Sequence, residues 1–269
     1  MMKYTIYISI ILLCFSANAF AQENTQQQED DSYRFALGVQ LGTDIGGAIP
    51  FPFKHVPSTF NPYPKLNISL GAKLTFPVKP QWTIGAETTY KTVAIDADAR
   101  VKNQKFQDKD YIQYFTGTAE MKMEFTMLEV PVYVKYTFSN MKDRVLVGPY
   151  FSWIMKSKFI IDPKKGFIGN QASTVDAPVS DDPLDPNYLK DIVFSNDLDS
   201  WDMGIVLGYE RKLSPRIELG LRFMCGFKDI FKPNNEYFDY SMLHMRGTVV
   251  LSYNLFNIKS PKLLKLSKR

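Results

Sequence analysis

The chain has 269 residues, of which 45% are hydrophobic, 14% aromatic and 22% charged, and its net charge is +4. This composition excludes a disordered chain, and the weak positive charge, without a Lys/Arg cluster, gives no reason to expect a nucleic-acid partner. The many phenylalanines and tyrosines favour β structure, and the length suits a single all-β barrel.

Residues 1–21 have the pattern of a signal peptide. Lys3 provides a basic start, an apolar run follows at 6–15, and Ala19 and Ala21 form a small-x-small cleavage site. The run is shorter than the ~20 residues that a spanning helix needs, so an uncleaved anchor is the weaker alternative. We therefore expect an exported protein, in which the polar residues 22–32 form a flexible lead-in.

Eight later segments alternate apolar residues with charged residues or glycine, which is the period of a β-strand. In 128–138, for example, Leu128, Val130 and Val132 alternate with Glu129 and later Lys135. In the segment 120–138 the apolar positions change from odd to even near Met127, which we interpret as a bulge or as a strand that projects beyond the bilayer. The eight segments are 33–42, 66–78, 82–95, 120–138, 145–160, 201–213, 217–228 and 242–256.

The connections alternate in length, which is typical of an up-and-down outer-membrane barrel. Short turns are predicted at 77–81, 139–144 and 214–215. Long extracellular loops are predicted between them, at 43–65, 96–119, 162–200 and 229–241. Only a closed barrel leaves no strand edge unpaired in lipid. The fold prediction is therefore an all-β, eight-stranded antiparallel transmembrane barrel over 33–256, followed by a basic tail at 257–269.

The apolar faces are predicted to contact lipid, and the second faces to line the lumen. Because eight strands leave room only for side chains, we expect the enclosed charges to form an ion-paired structural plug. A proton or ion relay through this plug is the alternative. The inward charged residues are predicted to be Arg34, Lys73, Glu87, Lys91, Glu129, Lys135, Lys156, Asp202, Glu210, Glu218, Arg222 and Arg246.

No catalytic, cofactor or metal motif is found in the sequence. The GxSxG, HExxH and GxGxxG patterns are missing, and Ser241 near His244 has no supporting motif. We therefore predict no enzyme activity and no cofactor. The proline-rich loop 43–65 is expected to be a lid on the barrel mouth or, alternatively, a recognition surface, and the acidic run 181–186 is expected to be a solvated loop.

Several segments resemble the outer-membrane β-barrel proteins of the PorT family. They are LEVPVYVKYTF at 128–138, VGPYFSWIMKSK at 147–158, WDMGIVLGYERKL at 201–213, IELGLRFMCGFKDI at 217–230 and LSYNLF at 251–256. The resemblance implies an eight-stranded outer-membrane barrel without an assigned activity. One member of that family is implicated in type IX protein secretion, but no motif here carries that role. The tail 257–269 departs from barrels that end on an aromatic residue.

The sequence thus predicts an integral protein of the outer membrane with a structural or recognition role in its extracellular loops. The alternatives are an accessory component of type IX secretion, a small porin or transporter, and a soluble lipocalin-like carrier. Expected partners are outer-membrane lipid and secretion or envelope proteins. If the faces are assigned correctly, Leu221→Arg should block membrane assembly and Arg222→Leu should be milder.

Overall fold

The computed structural model describes residues 34–56, 59–65, 67–108, 111–169, 192–233, 238 and 240–259. Eight long strands and two short ones form a single sheet, and a 3-10 turn lies at Phe53–His55. Within these ranges no helix has the length and apolarity needed to cross a membrane. The strands are β1 Arg34–Phe51, β2 Thr59–Pro64, β3 Asn67–Lys79, β4 Trp82–Asp108, β5 Tyr111–Thr137, β6 Asp143–Gly169, β7 Ile192–Val193, β8 Trp201–Lys212, β9 Ile217–Asp229 and β10 Ser241–Lys259.

The eight long strands close into a ring in which each strand pairs antiparallel with its neighbours along the chain. The order is β1, β3, β4, β5, β6, β8, β9 and β10, and the pairing of β10 with β1 closes it. The short strands β2 and β7 add to β4 and β6. The predicted eight-stranded antiparallel barrel is confirmed.

The apolar faces point outward and the charged faces point inward. On β3, Leu70 is 62% exposed whereas Lys73 is 2% exposed. Aromatic side chains border this apolar band: Trp82 contacts Tyr136 near the short turns, and Trp201 stacks on Phe151 at the other end. Trp201 and Tyr209 are eight residues apart on β8, about 26 Å along a strand. A strand tilt of ~40° reduces this to about 20 Å along the barrel axis, slightly less than the ~25 Å apolar band of such barrels.

The prediction of a long loop at 96–119 is wrong, because β4 and β5 continue as a hairpin that reverses between Asp108 and Tyr111. Parts of the predicted loops 43–65 and 162–200 are also strand, since β1 continues to Phe51 and β6 to Gly169. We call residues 45–51, 93–108, 111–127 and 154–169 the outer extension, because they continue the barrel beyond the aromatic border at the end with long connections.

In the outer extension β4 and β5 keep their strand phase, but the chemistry of their two faces is exchanged. Met123, Phe125, Met127 and Glu129 on β5 all point inward and are buried. The change seen in the sequence near Met127 is therefore no bulge in β5, and the interpretation as a projecting strand holds. A hydrophilic outer face and an apolar inner face are what a barrel in water requires.

The bulge lies instead on β6, opposite Thr126 and Met127 of β5. It reverses the direction of the following side chains, so that Ile154 points inward whereas Lys156 is exposed. The prediction that Lys156 belongs to the lumen is wrong for this reason.

A cluster of buried apolar side chains fills the barrel at the start of the outer extension. Its members come from the strands and from the segments that precede β8 and β10. We call this cluster the apolar plug; it consists of Ala48, Val93, Met123, Phe125, Met127, Ile154, Phe159, Phe194, Leu198, Ile230, Phe231 and Met242.

Some predicted features are not tested by this fold. The signal peptide at 1–21, the lead-in at 22–32 and the acidic run at 181–186 lie outside the described residues. Of the basic tail, only Asn257, Ile258 and Lys259 are described, and β10 includes them.

Candidate functional site: the lumen and the outer mouth

A cluster of seven charged side chains occupies the lumen near the short turns, and we call it the inner cluster. Lys73 Nζ lies 2.9 Å from Glu210 and 2.8 Å from Glu218. Arg222 uses both terminal nitrogens on Glu87 and lies 3.2 Å from Glu210. Lys135 pairs with Glu210 and Arg144 with Glu218. Every member thus has at least one partner of opposite charge, as buried charges require.

A second layer, the outer cluster, lies between the inner cluster and the apolar plug. Lys91 Nζ is 3.0 Å from Asp44 and 2.6 Å from Glu129, and Arg246 also pairs with Glu129. Thr248 donates a hydrogen bond to Asp44 at 2.7 Å. The four charged members balance one another within a few ångströms, so this layer carries no net charge.

Asp202 lies beside the outer cluster and accepts a hydrogen bond from Tyr150 Oη at 2.7 Å. Tyr150 in turn faces the Arg246 guanidinium, 5.5 Å from the ring centre. With Asp202 included, the two layers contain basic and acidic side chains in equal number among the described residues. The basic side chains are Lys73, Lys91, Lys135, Arg144, Arg222 and Arg246, and the acidic ones are Asp44, Glu87, Glu129, Asp202, Glu210 and Glu218.

The structure brings together the predicted lumen residues, except for two. Lys156 is exposed, and the side chain of Arg34 lies outside the described part of the chain, although its backbone pairs with β10. Sequence reasoning missed Asp44 and Arg144, because both were placed in predicted connections. Gln40 and Gly42 are inward positions of β1, and the next inward position in the same alternation is Asp44.

Tyr133 packs in the inner cluster through a close approach to a glycine. Its hydroxyl donates to Glu87, and its ring covers Gly85 on the neighbouring strand. A Cβ placed on Gly85 would lie 2.3 Å from the ring, whereas one on Gly220 would meet nothing closer than 3.5 Å. Glycine at position 85 therefore provides the space for the ring.

We expect Gly85→Ala to destabilise the barrel by about 1–3 kcal/mol, because the Tyr133 ring must move and its bond to Glu87 is disturbed. Gly220→Ala is the matched control on the same inner face, and its effect should stay within about 0.5 kcal/mol. Urea unfolding in lipid vesicles measures both variants. Equal stability losses would show that the close approach of Tyr133 has no energetic weight.

His244 is enclosed between the outer cluster and the apolar plug. It is 1% exposed, its ring meets Phe125 edge-on at 4.7 Å, and neither ring nitrogen has a hydrogen-bond partner among the described residues. Ser241 is exposed, so the two residues that the sequence places close together lie on opposite sides of β10. Within the described residues no group of three or more His, Cys, Asp or Glu could hold a metal ion.

On β4, β5 and most of β6 the outer face of the outer extension is hydrophilic and carries ion pairs. Glu120 lies 3.1 Å from Lys122 and 3.3 Å from Lys164. Hydrogen bonds from Lys122 and Lys164 hold the pKa of Glu120 below its usual range. Tyr63 on β2 donates to Asp98 at 2.9 Å. These solvated pairs distinguish the extension from the apolar band.

An apolar cavity of about 260 Å³ lies inside the outer extension. Strands β1, β4, β5, β6 and β10 and the segments that follow β1 and precede β10 contribute to its wall. Pro50 and Val56, from the segment predicted to be a lid, line it. Other lining residues are Ala48, Ile49, Ala99, Val101, Phe115, Ala119, Met121, Phe159, Ile161, Phe238, Tyr240 and Met242.

Several solved outer-membrane proteins align with this chain at low sequence identity. Neisserial surface protein A is 7% identical, with 82% of this chain and 97% of that chain covered and a TM-score of 0.36. Ail of Yersinia pestis is also 7% identical, with 83% and 97% covered and a TM-score of 0.36. OprG from Pseudomonas aeruginosa is 10% identical, with 84% and 97% covered and a TM-score of 0.33.

No curated protein sequence matches the chain. A family match does cover most of it: residues 20–232 match the outer membrane protein beta-barrel domain. The match includes β1 to β9, and β10 closes the same ring with an outward apolar face. The chain therefore belongs to the outer membrane protein beta-barrel domain family, and it is a β-barrel protein of the outer membrane.

Proposed function

We propose that the protein is a closed barrel that acts as a recognition scaffold, with its outer extension presented at the cell surface. The observation that carries this proposal is the stack of three side-chain layers in the lumen. The inner cluster, the outer cluster and the apolar plug follow one another along the barrel axis. Buried side chains therefore fill the lumen at each of the three levels.

The three layers oppose the passage of water and ions through the lumen. An eight-stranded barrel has no spare width for a water channel once its inner side chains are packed. Paired charges resist the passage of an ion, since moving through them requires breaking charge-assisted hydrogen bonds. Rigid strands also hold the outer extension in place, which suits binding by surfaces at the end of a scaffold.

We expect no channel activity from the purified protein in planar lipid bilayers, at any voltage that the bilayer tolerates. A general porin, reconstituted at the same protein-to-lipid ratio, is the positive control. Heat-modifiable gel migration of the same sample shows that the barrel is folded. Reproducible single-channel steps would overturn the proposal and favour the small porin or transporter.

A role in type IX secretion stays a prediction implied by the PorT resemblance alone. The predicted partners, outer-membrane lipid and secretion or envelope proteins, are likewise part of the proposal. Lipid contact is supported by the apolar outward band, whereas a protein partner would have to meet the hydrophilic surface of the outer extension.

A further inference from the structure

We infer that the cavity in the outer extension is a binding site for a small, uncharged, apolar molecule. The inference rests on the proposed recognition role of the outer extension and names the class of ligand that this role would serve. It is carried by the chemistry, the size and the construction of the cavity.

The chemistry of the lining excludes ions and disfavours water. No carboxylate, ammonium or guanidinium group lines the cavity, and Tyr240 provides the only side-chain hydroxyl in its described lining. A water molecule needs two to four polar partners to be held in such a space. A charged ligand would lose its hydration without gaining a partner. An apolar molecule, in contrast, gains from leaving water.

The size of the cavity fits a ligand rather than a packing defect. Its volume is about 260 Å³, whereas an apolar cavity of ~150 Å³ in another protein takes up benzene. A molecule of two fused aromatic rings, or a short alkyl chain, is of the matching size. Packing defects in folded proteins are usually too small for any guest, so this space needs a different explanation.

The wall is built mainly on strands, which makes the site preformed. Ala99 and Val101 lie on β4, Ala119 and Met121 on β5, and Ile161 on β6. Small side chains at 99 and 119 stand where a larger apolar residue would fill the space. Preformed concave sites with apolar linings are the usual form of small-molecule sites.

Two methionines of the wall provide a direct test. Met121 and Met242 line the cavity, whereas Met203 lies on the lipid-facing surface and Met155 on the outer surface of the outer extension, both about half exposed. We would label the methionine methyl groups with ¹³C, place the folded protein in lipid nanodiscs and add naphthalene. The expected result is a saturable shift of Met121 and Met242, with at most a linear, non-saturating shift of Met155 and Met203.

The control variants compare one substitution at two places on β4. Ala99→Phe fills the cavity and should weaken naphthalene binding at least tenfold, while Ala86→Phe on the lipid-facing surface should leave it unchanged. Should Ala99→Phe fail to fold, Ile161→Ala replaces it: the larger cavity should shift the preference from naphthalene toward anthracene. The charged analogue 2-naphthalenesulfonate should not bind.

The same spectra distinguish the source of the ligand. Nuclear Overhauser effects from Met121 or Met242 to lipid acyl protons, lost when naphthalene is added, would support the site and identify membrane lipid as its supplier. Linear shifts at all four methionines, or saturation that survives Ala99→Phe, would overturn the inference. The conductance measurement is independent of this outcome, so a closed barrel without a ligand site would be recognised as such.

Discussion

Arg222→Leu is expected to destabilise the folded barrel by about 3–5 kcal/mol, because it leaves a buried carboxylate without its main partner. Glu87 is 2% exposed and receives both terminal nitrogens of Arg222. After the substitution, Glu87 keeps the hydroxyl of Tyr133 and the amide of Gln40 at 3.1 Å. Neither group neutralises its charge.

Equilibrium unfolding in urea, followed by tryptophan fluorescence in lipid vesicles, measures this loss. The matched control is the double variant Arg222→Leu with Glu87→Leu, which removes both charges and should recover much of the stability. A single variant that loses less than 1 kcal/mol, or a double variant that is worse than the sum of the two singles, would contradict the ion-pair argument.

This expectation reverses the ranking drawn from the sequence, in which Arg222→Leu was the milder change. The sequence shows that Arg222 lies on the inner face, but its partner Glu87 is 135 positions away. Which charges meet across the lumen depends on the register of every strand pair and on the tilt of the strands. Alternation alone contains neither quantity.

The membrane-embedded half of the barrel could be predicted well, because there lipid and lumen impose opposite chemistry on alternate residues. β3 begins at Asn67, close to the start of the predicted segment, and its faces are as predicted from that residue onward. β5 begins at Tyr111, well before the predicted segment, and its faces are as predicted from Glu129 onward. The rule behind this success is that one face must be apolar throughout the bilayer.

The outer extension could not be predicted, because its environment differs while its geometry does not. Ala97 and Ala99 face inward there, and Asp96 and Asp98 lie on the other face. The residues 96–101 alternate as regularly as any membrane strand. Charges and alanines suggested a loop only because an apolar lipid face was expected. A search for alternation regardless of which face is apolar would have found the hairpin.

The exchange of chemistry also explains why the barrel has two different cores. Between the outer cluster and the short turns, paired charges fill the narrow lumen, because the apolar side chains there point outward into lipid. In the outer extension, water surrounds the barrel, so the apolar residues are buried inside it. Phe159, Phe194 and Phe231 pack together there. The plug is thus the ordinary hydrophobic core of a soluble β structure, placed on top of a membrane barrel.

Ile205→Arg is expected to cost about 2–4 kcal/mol, because it places a charge on the lipid face near the middle of the bilayer. Ile205 lies on β8 midway between Trp201 and Tyr209, the two border aromatics of that strand. Its neighbours across the strand pairs are Pro149 and Cys225. None of these can provide a counter-charge, and an arginine at this depth cannot reach either interface without disturbing the lipid.

The depth of the position decides the effect, and Leu213→Arg provides the matched control. Leu213 is 43% exposed on the same outward side, just after β8 ends, and the same charge there should cost only about 0–1 kcal/mol. Leu221 pairs with Tyr209, which puts it near the interface, so the assembly block predicted for Leu221→Arg is replaced by a small loss. Folding yield and urea unfolding in vesicles rank the three variants. If Ile205→Arg is tolerated as well as Leu213→Arg, the band between Trp201 and Tyr209 does not face lipid.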